Sequence, residues 1–415
     1  MSDIASGTTA PADEPHWRSN LFVCMAGSFS TVVAMTLLVP FLPLYVEELG
    51  VRDHAAIVQW SGIAFGVTFL SAGLCAPLWG YLADRYGRRL MLIRASLGMA
   101  VAMSLIGMAH NVWQLVALRL LAGLLGGYAS GAMALVAAQT PKARTGWALG
   151  MLSSAVMAGS LVGPLIGGEL SPLIGIRHTF WAVGAVIFMA FLATLFLLRE
   201  ERRPAAAAHA DKKAKAGWSA VPHKRPVVVM LVTGSLLSFA LMSIEPIITV
   251  YVAQFVANSD QATREAGWVM SATALGSVLS SSRLGRLADR VGHWPVVTAC
   301  LTVAALLLVP QAFVTAGWQL VLLRFLMGLA LGGLMPCITA VIRHHVPQRS
   351  TGTILGYSVS AQYVGQVIGP LLGGFIGGHL GMRPVFFVTA AVLVAGAVWN
   401  WRELTRRSTA SHGAP

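Results

Sequence analysis

Apolar stretches of about 20 residues or more, separated by short polar or basic segments, run the length of the chain. At 1.5 Å rise per residue, about 20 apolar residues carry a helix across a hydrocarbon core ~30 Å thick. The pattern predicts twelve such helices, roughly at 20–47, 57–82, 90–110, 113–138, 146–169, 178–198, 227–255, 265–288, 295–315, 319–342, 351–376 and 383–402. Residues 1–19 read as a disordered cytoplasmic tail without the basic start of a signal peptide, so the first apolar stretch is expected to stay as a helix. Segment 199–226 is rich in Ala, Lys and Arg and has no apolar run; it reads as a cytoplasmic linker, partly on anionic headgroups. Residues 403–415 form a cytoplasmic C-terminal tail. The predicted class is an all-α integral membrane protein with six-helix bundles at 20–198 and 227–402.

The two bundles repeat one another. Gly80-Tyr-Leu-Ala-Asp84-Arg85-Tyr-Gly87 returns as Gly285-Arg-Leu-Ala-Asp289-Arg290-Val-Gly292, 205 residues later. Trp113-Gln114 returns as Trp318-Gln319 and Arg119 as Arg324. Gly159, Gly163, Pro164, Gly167 and Gly168 return as Gly365, Gly369, Pro370, Gly373 and Gly374, now 206 residues on, and Pro40 and Tyr45 as Pro246 and Tyr251. Six spans is an even number, so both halves insert the same way up. A pseudo-two-fold axis along the membrane normal is expected.

Composition agrees. Of 415 residues, 56% are hydrophobic and 11% charged, against about 25% charged in soluble domains. Disordered, disulfide-rich and collagenous classes are excluded, and a large soluble enzyme is disfavoured. The net charge of +13 would suit a nucleic-acid partner, but its placement speaks against one. With the N-terminus inside, 23 of the 29 Lys and Arg fall on the inner side and four, Arg52, Arg177, Arg264 and Arg383, on the outer. That bias puts both termini in the cytoplasm and makes the charge a matter of topology. Cys24, Cys75, Cys300 and Cys337 lie scattered in apolar stretches without metal-ligand spacing, so no metal is expected.

Charges inside spans are costly and mark function. Arg119 and Arg324 lie about six residues into the fourth and tenth spans, ~9 Å deep. Glu245 lies about ten residues from the outer end of the seventh and is the only carboxylate well inside a span. It can carry a proton, brace Arg324 in a static ion pair, or bind substrate. In the two Asp-Arg loops, Gly80 and Gly285 would admit a neighbouring helix closely. Asp84 would face the positive N-terminus of a helix from the other half, near Thr351. Arg85, Arg88 and Arg89 would complete a latch closing the cytoplasmic side, with Gly87, Asp289 and Arg290 as its remaining parts. Pro40, Pro43 and Pro246 predict kinks in the first and seventh spans. Gly159, Gly163 and Gly167, every fourth residue, present a smooth packing face. No Gly-Lys dipeptide occurs, so a phosphate-binding loop is absent, as are His-Glu-x2-His and Gly-x-Ser-x-Gly. A primary pump or a membrane enzyme is disfavoured.

These residues resemble the major facilitator superfamily. The loop Gly80-x3-Asp84-Arg85-x-Gly87-Arg88-Arg89 is similar to its signature between helices 2 and 3, and Arg119 with Gly123 to its helix 4 motif. Gly159 through Gly168 resembles the antiporter motif of its drug:proton exporters, and Val39 through Gly50 the helix 1 motif of the twelve-helix group. The resemblance implies twelve helices, alternating access and export of drugs by proton antiport, with no cofactor beyond the proton gradient. It implies small-molecule drugs, protons and lipid as partners, a monomer, and the bacterial inner membrane. Among its bacterial multidrug exporters it implies fosfomycin and bile salts such as deoxycholate as substrates. It places helices 1 and 7, and so Met35, Phe41, Met242 and Tyr251, around the cavity, and makes Arg119 a second position for proton transfer; the charges of Arg119, Arg324 and Glu245 are expected to face the same cavity and bind substrate there. A proton-coupled or facilitative uptake transporter is the alternative.

Overall fold

A computed structural model of the chain describes residues 16–141, 143–200, 218, 221–222, 224–347 and 350–412, with side chains to 406. Among these residues every regular element is a helix, and twelve long helices cross the molecule. They are α1 (Trp17–Glu48), α2 (His54–Tyr86), α3 (Arg88–Ile106), α4 (Val112–Gln139), α5 (Thr145–Ile174) and α6 (Ile176–Leu197), followed by α7 (Lys224–Val252), α8 (Ser259–Val291), α9 (His293–Gln311), α10 (Gly317–His345), α11 (Thr351–His379) and α12 (Met382–His412). All twelve expected spans are present, most a few residues longer than the apolar pattern suggests.

Ten are long and apolar enough to cross a membrane alone; α8 and α11 are not among them. Both are rich in Gly and Ser, and α8 carries several arginines. They can be less apolar because each packs across the midline, α8 on α5 and α11 on α2. Helix α7 starts at Lys224, inside the segment read as linker, and α12 continues past the expected end to His412. Arg225 and Glu403 join the two helices with a 2.9 Å ion pair. The rest of the expected linker, 201–217 with 219, 220 and 223, and tail residues 1–15 and 413–415, lie outside the described residues.

Glycine fixes the packing in each half. A methyl carbon on Gly167 would sit 1.7 Å from the Leu37 carbonyl oxygen, and one on Gly373 would sit 1.8 Å from that of Ser243. Gly159 and Gly163 meet α1 in the same way, as Gly365 and Gly369 meet α7. The every-fourth-residue run therefore does what its spacing predicts, and does it twice.

The halves touch each other through glycine too. A methyl on Gly62 would lie 2.3 Å from the Pro370 carbonyl, and one on Gly267 would lie 2.6 Å from that of Pro164. Gly168 faces Thr263, and Gly378 faces Ala55. All of these lie toward the end of the bundle far from the chain termini. Polar links reinforce this far end: Thr249 Oγ1 donates to the Pro40 carbonyl (2.7 Å), and Ser271 Oγ to that of Leu161 (2.7 Å). Glu169 meets Arg264 Nε at 3.5 Å and accepts from Trp268 Nε1 at 3.3 Å. At the opposite end Gly80, Gly146, Gly150, Gly285, Gly352 and Gly356 have nothing within 4 Å of where a side chain would start. The bundle is sealed at the far end and parted at the end that bears the termini.

Three helices are interrupted. Helix α1 tightens to a 3-10 turn at Val39–Phe41 around Pro40, as expected of a kink. Its counterpart α7 runs unbroken through Pro246, so the predicted pair of kinks is not symmetric. Helix α4 breaks at Gly126–Gly127, and α10 bends at Gly332–Gly333.

Candidate transport site

A cavity of about 330 Å³ lies where the two halves meet. Helix α1 contributes Thr36 and Val39, α5 Met157, Ser160 and Pro164, α7 Met242 and Glu245, α8 Met270, Thr273 and Ser277, and α10 Arg324. Glu245 precedes Pro246, whose missing N–H leaves the Met242 carbonyl without its intrahelical donor. Glu245 has neither a hydrogen bond nor an ion pair with any described residue. Arg324 is 3% exposed, and its Nε and Nη2 are buried without partners. The two charges share the cavity but come no closer than 4.0 Å, so they act on each other through space and not as a contact ion pair.

Around them the wall is mixed. The hydroxyls of Thr36, Ser160, Thr273 and Ser277 each donate to a backbone carbonyl, which leaves their lone pairs as acceptors. Met157, Met242 and Met270 supply polarizable apolar surface that repacks around varied shapes. A free carboxylate, a guanidinium with spare donors and a soft wall can hold an amphipathic molecule and exchange a proton.

The other expected site residues part company with this cavity. Arg119 is wholly buried between α2 and α4, with Nε donating to the Ala64 carbonyl at 3.3 Å and its guanidinium 5.2 Å from the Phe65 ring. Its two Nη atoms have no partner. Met35 lines a separate cavity of about 270 Å³ within reach of Met99 and Gln366. Phe41 and Tyr251 are corrections: both are wholly buried and line neither of these cavities. Phe41 is 0% exposed and packs edge-on against Phe180 at 5.5 Å. Tyr251 is 1% exposed, donates to the Gln311 carbonyl at 2.9 Å and packs edge-on against Phe255 and tilted against Phe386. Both lie beyond the prolines of their helices, toward the end where the halves are in contact.

The expected latch is unfastened. Asp84 has no hydrogen bond or ion pair with a described residue and does not meet Thr351, whose hydroxyl is turned to Pro347. No helix approaches Gly80 or Gly285. Arg88 donates to the Ala134 carbonyl and Arg89 to that of Leu195, while among the described residues Asp289 meets His293, at 3.6 Å across the Gly292 turn and within its own half. Gly87 and Gly292 have another role. Their φ values of +99° and +97° turn the chain sharply between helices, a conformation other residues adopt only with strain. Sequence reading missed Glu200, whose carboxylate accepts from the backbone N–H of Arg88 and Arg89 at 3.0 and 2.7 Å and caps α3. Nor does the sequence single out Arg94, whose side chain is folded 3.5 Å over the Trp79 ring.

Comparison with known proteins places this geometry in a family. The chain is 41% identical to the multidrug resistance protein MdtG of Salmonella arizonae over 407 residues, covering 97% of this chain and 100% of that one. It is equally close to the protein of that name from Salmonella paratyphi B, covering 97% and 99%. Among solved structures it superposes on a bacterial homolog of the human lysosomal transporter Spinster, inward-facing and occupied, with a TM-score of 0.74 at 16% identity, covering 94% and 97%. The human organic anion transporter MFSD10 gives 0.67 at 18% identity, covering 93% and 100%; both likenesses concern the fold. The model of the Major Facilitator Superfamily matches residues 24–264 and 258–414, and to that superfamily this chain belongs.

Proposed function

We propose that this transporter exports drugs and amphipathic toxic small molecules in exchange for protons, by alternating access. One observation carries the reading: an unpaired carboxylate, Glu245, faces a soft-walled cavity between two halves that are sealed at one end and parted at the other. Near-full-length similarity to proteins named for multidrug resistance supports it. The basic bias of the loops makes the parted end cytoplasmic, so the molecule faces inward.

In this scheme substrate enters from the cytoplasm or inner leaflet and lays its apolar body on Met157, Met242 and Met270. Glu245 gives up its proton in this state. After the halves rock, Glu245 takes a proton from the outside as substrate leaves, and the protonated form returns. Arg324 sets the balance by favouring the ionised carboxylate whenever motion brings the two together. Asp84 and the arginines of its loop latch the inner end once it closes. The proton gradient supplies the energy, and no cofactor enters the cycle. Arg119, apart from the cavity, holds its helix pair and is a second place for proton transfer through ordered water.

The test is flux of deoxycholate and of fosfomycin, the substrates that the resemblance implies, in proteoliposomes under an imposed pH gradient. Wild type should accumulate drug against its gradient, and Glu245→Gln should only equilibrate it. A Glu245→Gln protein that still pumps moves the proton to Arg119 and its water. A wild type that ignores the pH gradient makes the protein a uniporter and sinks the antiport reading.

A further inference from the structure

Helix α4 is broken inside the membrane. Gly126 is extended (φ −65°, ψ −163°) and Gly127 left-handed (φ +97°, ψ 16°), so the backbone ladder stops and restarts. In hydrocarbon a carbonyl freed in this way must find a donor inside the protein. Two side chains from neighbouring helices supply it. Trp79 of α2 donates Nε1 to the Leu124 carbonyl at 2.7 Å. Arg94 of α3 donates Nη2 to the Gly126 carbonyl at 3.2 Å and reaches Leu124 at 3.5 Å. The Arg94 guanidinium lies 3.5 Å from the centre of the Trp79 ring, so each donor is held by the other.

The second repeat has no such arrangement. Counting 205 residues on, Leu284 stands for Trp79 and Ala299 for Arg94. There Gly332 and Gly333 keep right-handed angles, φ −62° and −90°, and Gly332 N–H still bonds the Gly328 carbonyl at 3.0 Å. Leu284 fills the space beside Gly333. One repeat has a bend packed with leucine, and the other a full break clasped by an Arg–Trp pair.

The break opens space. Cavities of about 270 and 330 Å³ meet at it, sharing Gly123, Gly126, Gly127, Ser130 and, from the other half, Tyr363. We infer that Arg94 and Trp79 are positioning residues that hold α4 broken and so maintain a second chamber of the substrate path, lined mainly by the N-terminal half and closed by Tyr363 and Gln366 of α11. The inference rests on the transport reading, in that the chamber belongs to a path only if the protein moves substrate. Arg94 and Trp79 also line the larger of the two cavities, but in this assignment they act through the backbone of Gly126–Ser130, and their change alters how substrate fits more than how fast the cycle turns.

The test copies the second repeat into the first. Trp79→Leu with Arg94→Ala is made in a background with Cys24, Cys75, Cys300 and Cys337 replaced by Ala and Ser130→Cys added. Ser130 is exposed to the chamber, so labelling by a soluble maleimide reads its opening. The clasped protein should label readily and the double variant at least about fivefold more slowly. KM for deoxycholate should rise about tenfold, with Vmax within about twofold at equal membrane abundance, the mark of lost binding rather than lost turnover. Unchanged labelling with unchanged KM overturns the inference, as does a fall in Vmax alone. If the double variant does not accumulate, Trp79→Phe keeps the stack and loses one donor, and Arg94→Lys keeps charge and loses the fork. Each should slow labelling in part, and wild-type behaviour in both overturns the assignment. If wild type moves no substrate the transport reading fails, while the labelling still decides whether the clasp holds the break.

Discussion

At the residue scale, charge was legible and packing was not. Glu245 and Arg324 stand out in the sequence because an ionised group in hydrocarbon is too costly to be incidental. The structure puts them in one cavity, though not in contact. Only the resemblance places Phe41 and Tyr251 at the cavity, since an aromatic ring in an apolar helix carries no mark of which way it faces. They turn out to be wholly buried in the sealed end. Phe41→Ala should therefore cost about 3–5 kcal/mol of stability, seen as a fall in the thermal midpoint in detergent, while the variant that survives keeps its substrate profile. A changed drug range at unchanged stability would return Phe41 to the cavity. Arg94 was hidden for a different reason. Its partners are carbonyls exposed only by the break in α4, so nothing in its own neighbourhood in sequence announces them.

At the element scale, glycine spacing foretold which helix faces come together. The run from Gly159 to Gly168 and its repeat bring α5 onto α1 and α11 onto α7. A Gly167→Ala chain should fail to accumulate in the membrane, because its methyl meets the Leu37 backbone rather than a movable side chain. Gly80→Ala meets nothing in this conformation and should accumulate normally. Immunoblots of membrane fractions decide both. Glu200 belongs to this scale as well. It caps α3 with two backbone hydrogen bonds, so Glu200→Ala should lower stability by about 1 kcal/mol, read in the same thermal assay. The sequence concealed this cap because Glu200 lies 112 residues from the N–H of Arg88 that it accepts. Only the arrangement of α3 beside α6 joins them. The unequal behaviour of Pro40 and Pro246 was equally out of reach, since one proline is tolerated inside a helix when neighbours hold it.

At the scale of the whole molecule, the repeat gave two bundles and their common orientation, but not which end stands open. That depends on a balance between two sets of weak contacts, and each set is spread over several helices. The Asp84 latch is unmade here, so it should matter only when the inner end closes. Asp84→Asn should leave abundance and substrate affinity near normal and cut flux strongly, as scored in the proteoliposome assay. Flux near that of wild type would remove the latch from the cycle. The far-end seams, by contrast, bring backbone against backbone at Gly62 with Pro370 and Gly267 with Pro164, beside a few side-chain links. Surfaces of that kind have few rotamers to free when they part and few to freeze when they meet. Opening there encounters little internal torsional friction, so the surrounding lipid becomes the main resistance. The rocking rate should then follow acyl-chain viscosity and lateral pressure, and turnover should change more between fluid and ordered bilayers than between most single substitutions on the seam's rim.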